Sequence, residues 1–381
     1  MTDFDTLGEY RDPSLARALA REMQAVRLDR PLVFMHVCGT HEHTIARASL
    51  RSLLPDGVRL IAGPGCPVCV CPAQDIDRAL EAAKRENVVI ATFGDMVRVP
   101  SSESSFERAK GEGCDVRVVY SPVDAVRLAR RNPEKEVVFM AVGFETTAAP
   151  IAASLADDLP PNFSIVPSMR LVPPALRFLI ARSAGAIDGF ILPGHVSAII
   201  GRSGYAFIEE AYGIPAVIAG FEAIDVLRAV HGLLGQITGG ARGTVENQYR
   251  RVVREGGNER AQGAIARFFE EADVPWRGIG TIPRSGLALR REYERLNAVV
   301  RLDLPETTAA VDVRAGCRCH LVILGEAEPE TCPLFGGECT PRNPYGPCMV
   351  SSEGTCRARF EYRPVGQRGL GNDTLGKGLM P

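Results

Sequence analysis

Three thiols crowd one ten-residue stretch, Gly63-Pro-Gly-Cys66-Pro-Val-Cys69-Val-Cys71-Pro72, and six more, Cys317, Cys319, Cys332, Cys339, Cys348 and Cys356, fall within forty residues further on. Sulfur at this density points to redox or metal chemistry. Cys66 and Cys69 stand in C-x-x-C register, a spacing that brings two β-carbons within disulfide reach in a turn and tends to lower a thiol pKa. A zinc half-site, or three small buried apolar residues, would use the same residue types. Gly63 and Gly65 open backbone angles closed to other residues, while Pro64, Pro67 and Pro72 fix φ and remove donors. A rigid, turned loop is expected, with neither helix nor sheet ladder running through it.

The later cysteines limit the answers by their number. Gly336, Gly337, Pro333, Pro341, Pro344 and Pro347 surround them, leaving a loop-rich lobe with too few apolar residues for a core of its own. A bound inorganic centre would supply the cross-links, and four thiolates suit either a structural zinc or a [4Fe–4S] cluster. Paired C-x-x-C knuckles are absent, and the wide spacing Cys332-x6-Cys339-x16-Cys356 favours the cluster. Cys317 or Cys319 would be the fourth ligand, with Cys348 as a competing candidate.

Cys38-Gly-Thr-His41-Glu-His43 forms a third constellation. Its thiol and imidazoles could be a nucleophile with its base, a metal site, or a buried thiol beside surface histidines. Glu145, in Gly143-Phe-Glu-Thr-Thr147, either caps the next helix or presents a carboxylate to a cleft; His195, after Pro193-Gly194, is open in the same way. Cys114 stands alone before a strand and reads as structural. No G-x-S-x-G elbow, P-loop or G-x-G-x-x-G follows any strand, so hydrolase and nucleotide readings lack support.

These groups need elements to hold them. Leu32-Val-Phe-Met-His-Val37 is a short apolar run that breaks into Cys38; Val58-Arg-Leu-Ile-Ala62 leads into the Cys66 loop, and Val88-Val-Ile-Ala-Thr-Phe93 into Gly94-Asp95. Ile76, Leu80 and Ala83 mark a helical face between them. Strands alternating with helices predict a parallel α/β sheet whose functional loops gather at the carboxyl ends of the strands. The pattern then repeats: Val137–Val142 with Gly143 echoes Val33–Val37 with Gly39, and Val217-Ile-Ala-Gly220 echoes Leu60-Ile-Ala-Gly63. Two similar α/β lobes facing a cleft are expected, at 31–135 and 136–240. Residues 1–30 with 241–365 would form a helical, cysteine-bearing lobe, with an amphipathic helix over 13–26, a helical stretch over 244–272 anchored by Phe268 and Phe269, and loop and strand from Trp276 to Leu287. The Gly-rich 366–381 is expected to be a mobile tail.

The 381 residues, 45% hydrophobic, suffice for two or three domains. A formal charge of −2 from 44 basic and 46 acidic residues leaves no electrostatic footprint for nucleic acid or membrane. The start, Met1-Thr-Asp-Phe-Asp-Thr, has neither a basic n-region nor an apolar h-region, and no apolar run reaches ~18 residues. A cytoplasmic protein with reduced or metal-bound thiols is expected.

Taken together, Cys38-Gly-Thr-His41, Gly63-Pro-Gly-Cys66-Pro-Val-Cys69, Phe93-Gly-Asp95-Met, Gly143-Phe-Glu145-Thr-Thr147, Pro193-Gly-His195-Val-Ser197 and Met349-Val-Ser-Ser-Glu-Gly-Thr-Cys356 resemble the HypD family of [NiFe]-hydrogenase maturation factors, over roughly residues 13–362. The resemblance implies two α/β lobes plus a lobe carrying a [4Fe–4S] cluster. It also implies a role with the small chaperone HypC as the scaffold on which iron receives cyanide and carbon monoxide, with cyanide supplied through HypE and the hydrogenase large subunit served indirectly. The family's iron-binding cysteine maps to Cys38, its redox pair to Cys66 and Cys69, and His41 carries over as a neighbour of the iron. Cys71, Ser101 and His320 depart from the family pattern, and Cys71 leaves open which two of three thiols pair. A cluster-dependent reductase of protein disulfides would account for the C-x-x-C loop but gives Cys38 no task; a zinc-stabilised interaction protein would account for the cysteine lobe alone.

Overall fold

The computed structural model describes residues 8, 10–240, 242–305 and 311–363. The expected tail lies outside them. Strands run over Leu32–His36 (β1), Val58–Ala62 (β2), Val88–Thr92 (β3), Asp115–Val118 (β4), Glu136–Gly143 (β5), Phe163–Met169 (β6), Gly189–Pro193 (β7), Ala216–Ala219 (β8), Val245–Asn247 (β9), Phe269–Trp276 (β10) and Gly280–Leu289 (β11). They form two parallel sheets, ordered β2-β1-β7-β8-β9 and β4-β3-β5-β6, and a β10-β11 hairpin.

The α/β class is as expected, but the lobe boundaries are not. Strands β1 and β2 pair with β7 to β9, and β3 and β4 pair with β5 and β6, so both sheets cross the expected division at 135/136. The second sheet is an insertion between β2 and β7 of the first. Each sheet opens with its second strand outside its first and its third on the other side, so the duplication lies in the winding order. The two echoes do not map it: β2 and β8 belong to one sheet, while β1 and β5 open and continue different ones.

Alternation along the strands explains how the sheets join. Met35, Val37, Phe190 and Leu192 from one sheet and Ile90, Val138, Met140 and Val142 from the other face a common core. The intervening Phe34 and Ile191 face one outer layer, and Val89 and Phe139 another. Burying each such side chain contributes ~1.5–3 kcal/mol, and strands buried on both faces read as continuous apolar runs.

The helix Pro13–Gln24 starts at Asp12, whose carboxylate accepts from the Ser14 amide, with Pro13 in the first turn. It buries Leu19 and Met23 against the helix Ala223–Thr238 on the outside of the first sheet, and so does not belong to the cysteine lobe. The stretch 244–272 is helical only over Glu259–Phe268, with β9 before it and β10 beginning at Phe269; two buried phenylalanines in succession suit a helix-to-strand junction better than one helix face. The hairpin docks on the second sheet, where the Leu171 amide donates to Ser285 and Arg170 donates to the Pro275 carbonyl. Among the described residues no helix is long and apolar enough to cross a membrane.

Candidate functional site

In an open parallel sheet, loops meet at the carboxyl ends of strands where the winding reverses. In the first sheet that point lies between β1 and β7, and the loops there carry Cys38 and His195. The neighbouring β2 delivers the Cys66 loop to the same place.

Cys38 is the N-cap of the helix Gly39–Arg47. The thiol is pushed up to about 11, first by burial and further by the Glu353 carboxylate, while the amides of His41 and Thr40 pull the other way without closing a cap hydrogen bond. The Gly39 amide donates to the Gly65 carbonyl at 3.0 Å. A β-carbon at Gly65 would lie 2.2 Å from the Cys38 nitrogen, so only glycine lets the two loops touch. His41 donates from Nε2 to the Gly220 carbonyl at 2.8 Å. Its pKa is lowered to about 3, first by burial and then by His36, and its buried Nδ1 has no partner among the described residues. A neutral imidazole with a free lone pair therefore sits one helical turn from the thiol. His195 stacks on Phe221 at 4.0 Å between ring centroids, beside His41 on the same ring. His43 leaves this group and meets the Tyr362 hydroxyl at 3.2 Å.

Cys66 and Cys69 form a disulfide, and Cys71 is a free thiol. The loop is less irregular than its prolines suggested. Pro67 takes the first position of a one-turn helix, Pro67–Val70, where its missing N–H costs nothing. That helix packs on the turn Pro347–Met349, which holds Cys348. Cys71 lies 3.3 Å from the Ser168 hydroxyl, which donates to Asp75, itself paired with Arg170 at 2.9 Å. Burial first, and then Asp75, pushes the Cys71 thiol up to about 11.

All six later cysteines line one cavity, together with Leu334, Phe335, Gly346 and Met349. Cys317 is lowered to about 7, first by its hydrogen bond with Cys319 and further by Arg277 and Arg314. The Cys356 amide donates to Cys348 Sγ at 3.3 Å, and the Tyr345 amide to Cys339 Sγ at 3.4 Å. Among the described residues no three His, Cys, Asp or Glu side chains gather tightly enough for a single metal ion.

A family model described as "HypD: Hydrogenase formation hypA family" matches residues 14–363. The chain belongs to the HypD family. It is 44% identical over 366 residues to hydrogenase maturation factor HypD2 of Bradyrhizobium diazoefficiens, covering 93% of this chain and 96% of that one. It is 43% identical to hydrogenase maturation factor HypD of Escherichia coli K12, covering 93% and 97%. A putative hydrogenase expression/formation protein of Methanocaldococcus jannaschii is 45% identical over 344 residues, covering 90% and 94%. The role in hydrogenase maturation expected from the motifs follows from this membership.

The second sheet of this HypD-family chain brings Asp95 and Glu145 to the same region. Ser351 donates to Asp95 at 2.7 Å, and Thr40 donates to Glu353 at 2.9 Å, so the loop before Cys356 is tied to both the β3 end and the Cys38 helix. Glu353 was visible only as part of a motif; its partner is 313 positions away. Tyr205 was not singled out at all. It is buried, its hydroxyl accepts from Ser197 at 3.4 Å, and its pKa is raised by burial first and then by the charges of Glu145 and Cys38.

Glu145 begins the helix Glu145–Leu155 and accepts from the Val172 amide through Oε1 at 2.8 Å. Its other oxygen is buried without a partner among the described residues, on the wall of a groove of about 1170 Å3 that also takes in Ile200, Phe207 and Ile282. Burial pushes its carboxyl from 4.5 up to about 7. A raised acid favours the protonated fold, so stability falls as pH rises from 4.5 towards 7. Glu145→Gln, which resembles the protonated form, is expected to be more stable than wild type at pH 8 by up to about 3 kcal/mol, and no more stable at pH 4. Urea unfolding at the two pH values checks this; equal curves at both would refute it.

Proposed function

We propose that this chain is a scaffold and redox protein for assembly of the Fe(CN)2CO unit of [NiFe] hydrogenases. Cys38, with a cysteine of a HypC-type partner, holds the iron as substrate while its ligands are attached, cyanide arriving from a HypE-type partner. The observation that carries the reading is convergence: the Cys38 loop touches the disulfide loop through Gly65, and the disulfide helix touches the Cys348 turn of the thiol lobe. Iron(II) displaces the proton of the buried Cys38 thiol, and the helix-end amides then face a thiolate. His41 Nδ1 offers a lone pair nearby. The Cys66–Cys69 disulfide takes up two electrons and two protons to become two thiols, and the reverse step returns them. The pair is only 4% and 1% exposed, which suits an internal relay better than a reductase of protein disulfides.

The six thiols fit a [4Fe–4S] cluster in donor type and convergence. Cys332, Cys339 and Cys356 with Cys317 or Cys319 would hold it, Cys348 being the alternative. The space among them is about 10 Å3, room for one water, so the surrounding loops would have to part to admit a cluster. When bound, it supplies electrons for the Cys66–Cys69 pair.

The test is metal and sulfide analysis of anaerobic protein, with infrared spectra of its complex with the HypC-type partner. Iron, acid-labile sulfide, and cyanide and carbonyl stretches are expected. Zinc without sulfide would establish an interaction protein instead, and iron and sulfide without the stretches would favour the reductase.

A further inference from the structure

Arg277 opens the turn of the β10-β11 hairpin, and that turn is driven into the seam between the Cys66–Pro72 loop and the thiol lobe. The Arg277 amide donates to the Val70 carbonyl at 3.0 Å. Its Nε donates to the Cys71 carbonyl at 2.6 Å, and its Nη1 to the carbonyls of Pro100 and Asp312 at 2.9 and 3.3 Å. On the far side, a β-carbon at Gly278 would lie 2.5 Å from the β-carbon of His320, so the turn is pressed against the helix Cys319–Ile323.

The guanidinium is anomalous in two respects. It is 2% exposed, and the three acceptors its side chain reaches among the described residues are all carbonyl oxygens, the carboxylate of Asp312 accepting instead from the amides of Ala73 and Gly278. Its Nη2, with two N–H groups, is buried and has no partner among the described residues. A buried donor left unmade destabilises the fold. A negatively charged acceptor next to Nη2 relieves it. Gly278, the next residue, packs on His320, which follows Cys319 on the wall of the six-thiol cavity, and on the other side Arg277 holds the backbone of Val70 and Cys71.

Four thiolates around an iron–sulfur cluster make a net-negative centre, whose potential responds to nearby charge and to hydrogen bonds on its sulfurs. We propose that Arg277 is the built-in counter-cation of that centre, its free Nη2 hydrogens donating to a sulfur on the Cys317–Cys319 side. The inference rests on the reading of the thiol lobe as a cluster site. Arg277 is then a positioning residue: it favours the reduced, more negative centre, and its anchorage on Val70 and Cys71 makes one cation common to the centre and the disulfide loop.

The experiment uses the full chain purified anaerobically as wild type, Arg277→Gln and Arg277→Lys, with iron and acid-labile sulfide measured first. A wild type without them overturns the cluster reading itself, and the counter-cation with it. With the cluster present, a potentiometric titration followed by electron paramagnetic resonance reads its midpoint. Arg277→Gln is expected to raise the oxidised-to-reduced ratio at the wild-type midpoint about tenfold, a shift of ~59 mV to more negative potential for one electron. Arg277→Lys, keeping the charge, should stay within about threefold. A glutamine variant that holds the cluster at the wild-type midpoint overturns the inference, as does a lysine variant that shifts as far as glutamine. If glutamine prevents cluster retention, iron and sulfide restored by lysine support it, and their loss in both variants overturns it.

Discussion

Cys38→Ala is expected to abolish the cyanide and carbonyl stretches of the complex with the HypC-type partner while leaving the fold intact. The two effects separate because the thiol does little for the helix it begins. Cys38 makes no side-chain cap bond, and its backbone, which accepts from the Glu42 amide and from His36 Nδ1, survives the change. Removing one sulfur at a site bounded by Gly65 costs ~1–2 kcal/mol by the scale of small core truncations, well below a typical domain's stability. On the proposed reading iron loses the thiolate that holds it, because Cys66 and Cys69 are bonded to each other. Cys69→Ser is the companion variant: it keeps Cys38 and removes the redox pair, so iron should remain while the stretches are lost. Stretches persisting in Cys38→Ala would sink the assignment of the iron to this residue.

The strand-then-loop pattern was legible because it is local. Each apolar run that ended in Cys38, Cys66, Asp95, Glu145 or His195 is a strand delivering its loop to the site. Sheet membership was not legible, since β1 and β5 are drawn from the same small alphabet of buried strands, and nothing local in β2 says that its sheet resumes at β7, past an entire second sheet. The echo between Leu60–Gly63 and Val217–Gly220 proved to lie within one sheet for that reason.

The site divides in the same way. Cys66 and Cys69 are three residues apart, and their spacing carries the pairing. Glu353 and Arg277 owe their positions to partners 313 and 206 residues away and Tyr205 to the folded packing as a whole, and none has a signature by type. A useful signal was present at two of them. Glu353 sits between Cys348 and Cys356 in a motif that spends five polar or glycine residues on a loop, and Arg277 follows the chain's single tryptophan, a place where a charge invites the question of what buries it.

The support beneath the Cys38 helix yields the second large effect. Glu42 is fully buried, accepts from Arg51 at 2.7 and 3.1 Å, and lies 2.7 Å from His36 Nε2. Arg51 also donates to the Leu60 carbonyl at 3.1 Å, so one carboxylate braces β1, the Cys38 helix and β2 together. Burial alone would raise its pKa; Arg51 and His36 overcome that and hold it at about 2 instead of 4.5. A depressed acid stabilises the fold above its unfolded value and loses that contribution as pH falls from 4.5 through 2. The shift corresponds to about 3 kcal/mol. Glu42→Ala leaves His36 and Arg51 without their shared acceptor, and breaking a buried charge pair costs ~3–5 kcal/mol. At pH 7 the variant should therefore unfold at markedly lower urea concentration than wild type. As pH is lowered towards 2, wild type should lose stability faster, and the two curves should converge because protonation removes the same interaction as the mutation. A gap that persists undiminished at pH 2 would mean that Glu42 acts through packing and not through its charge.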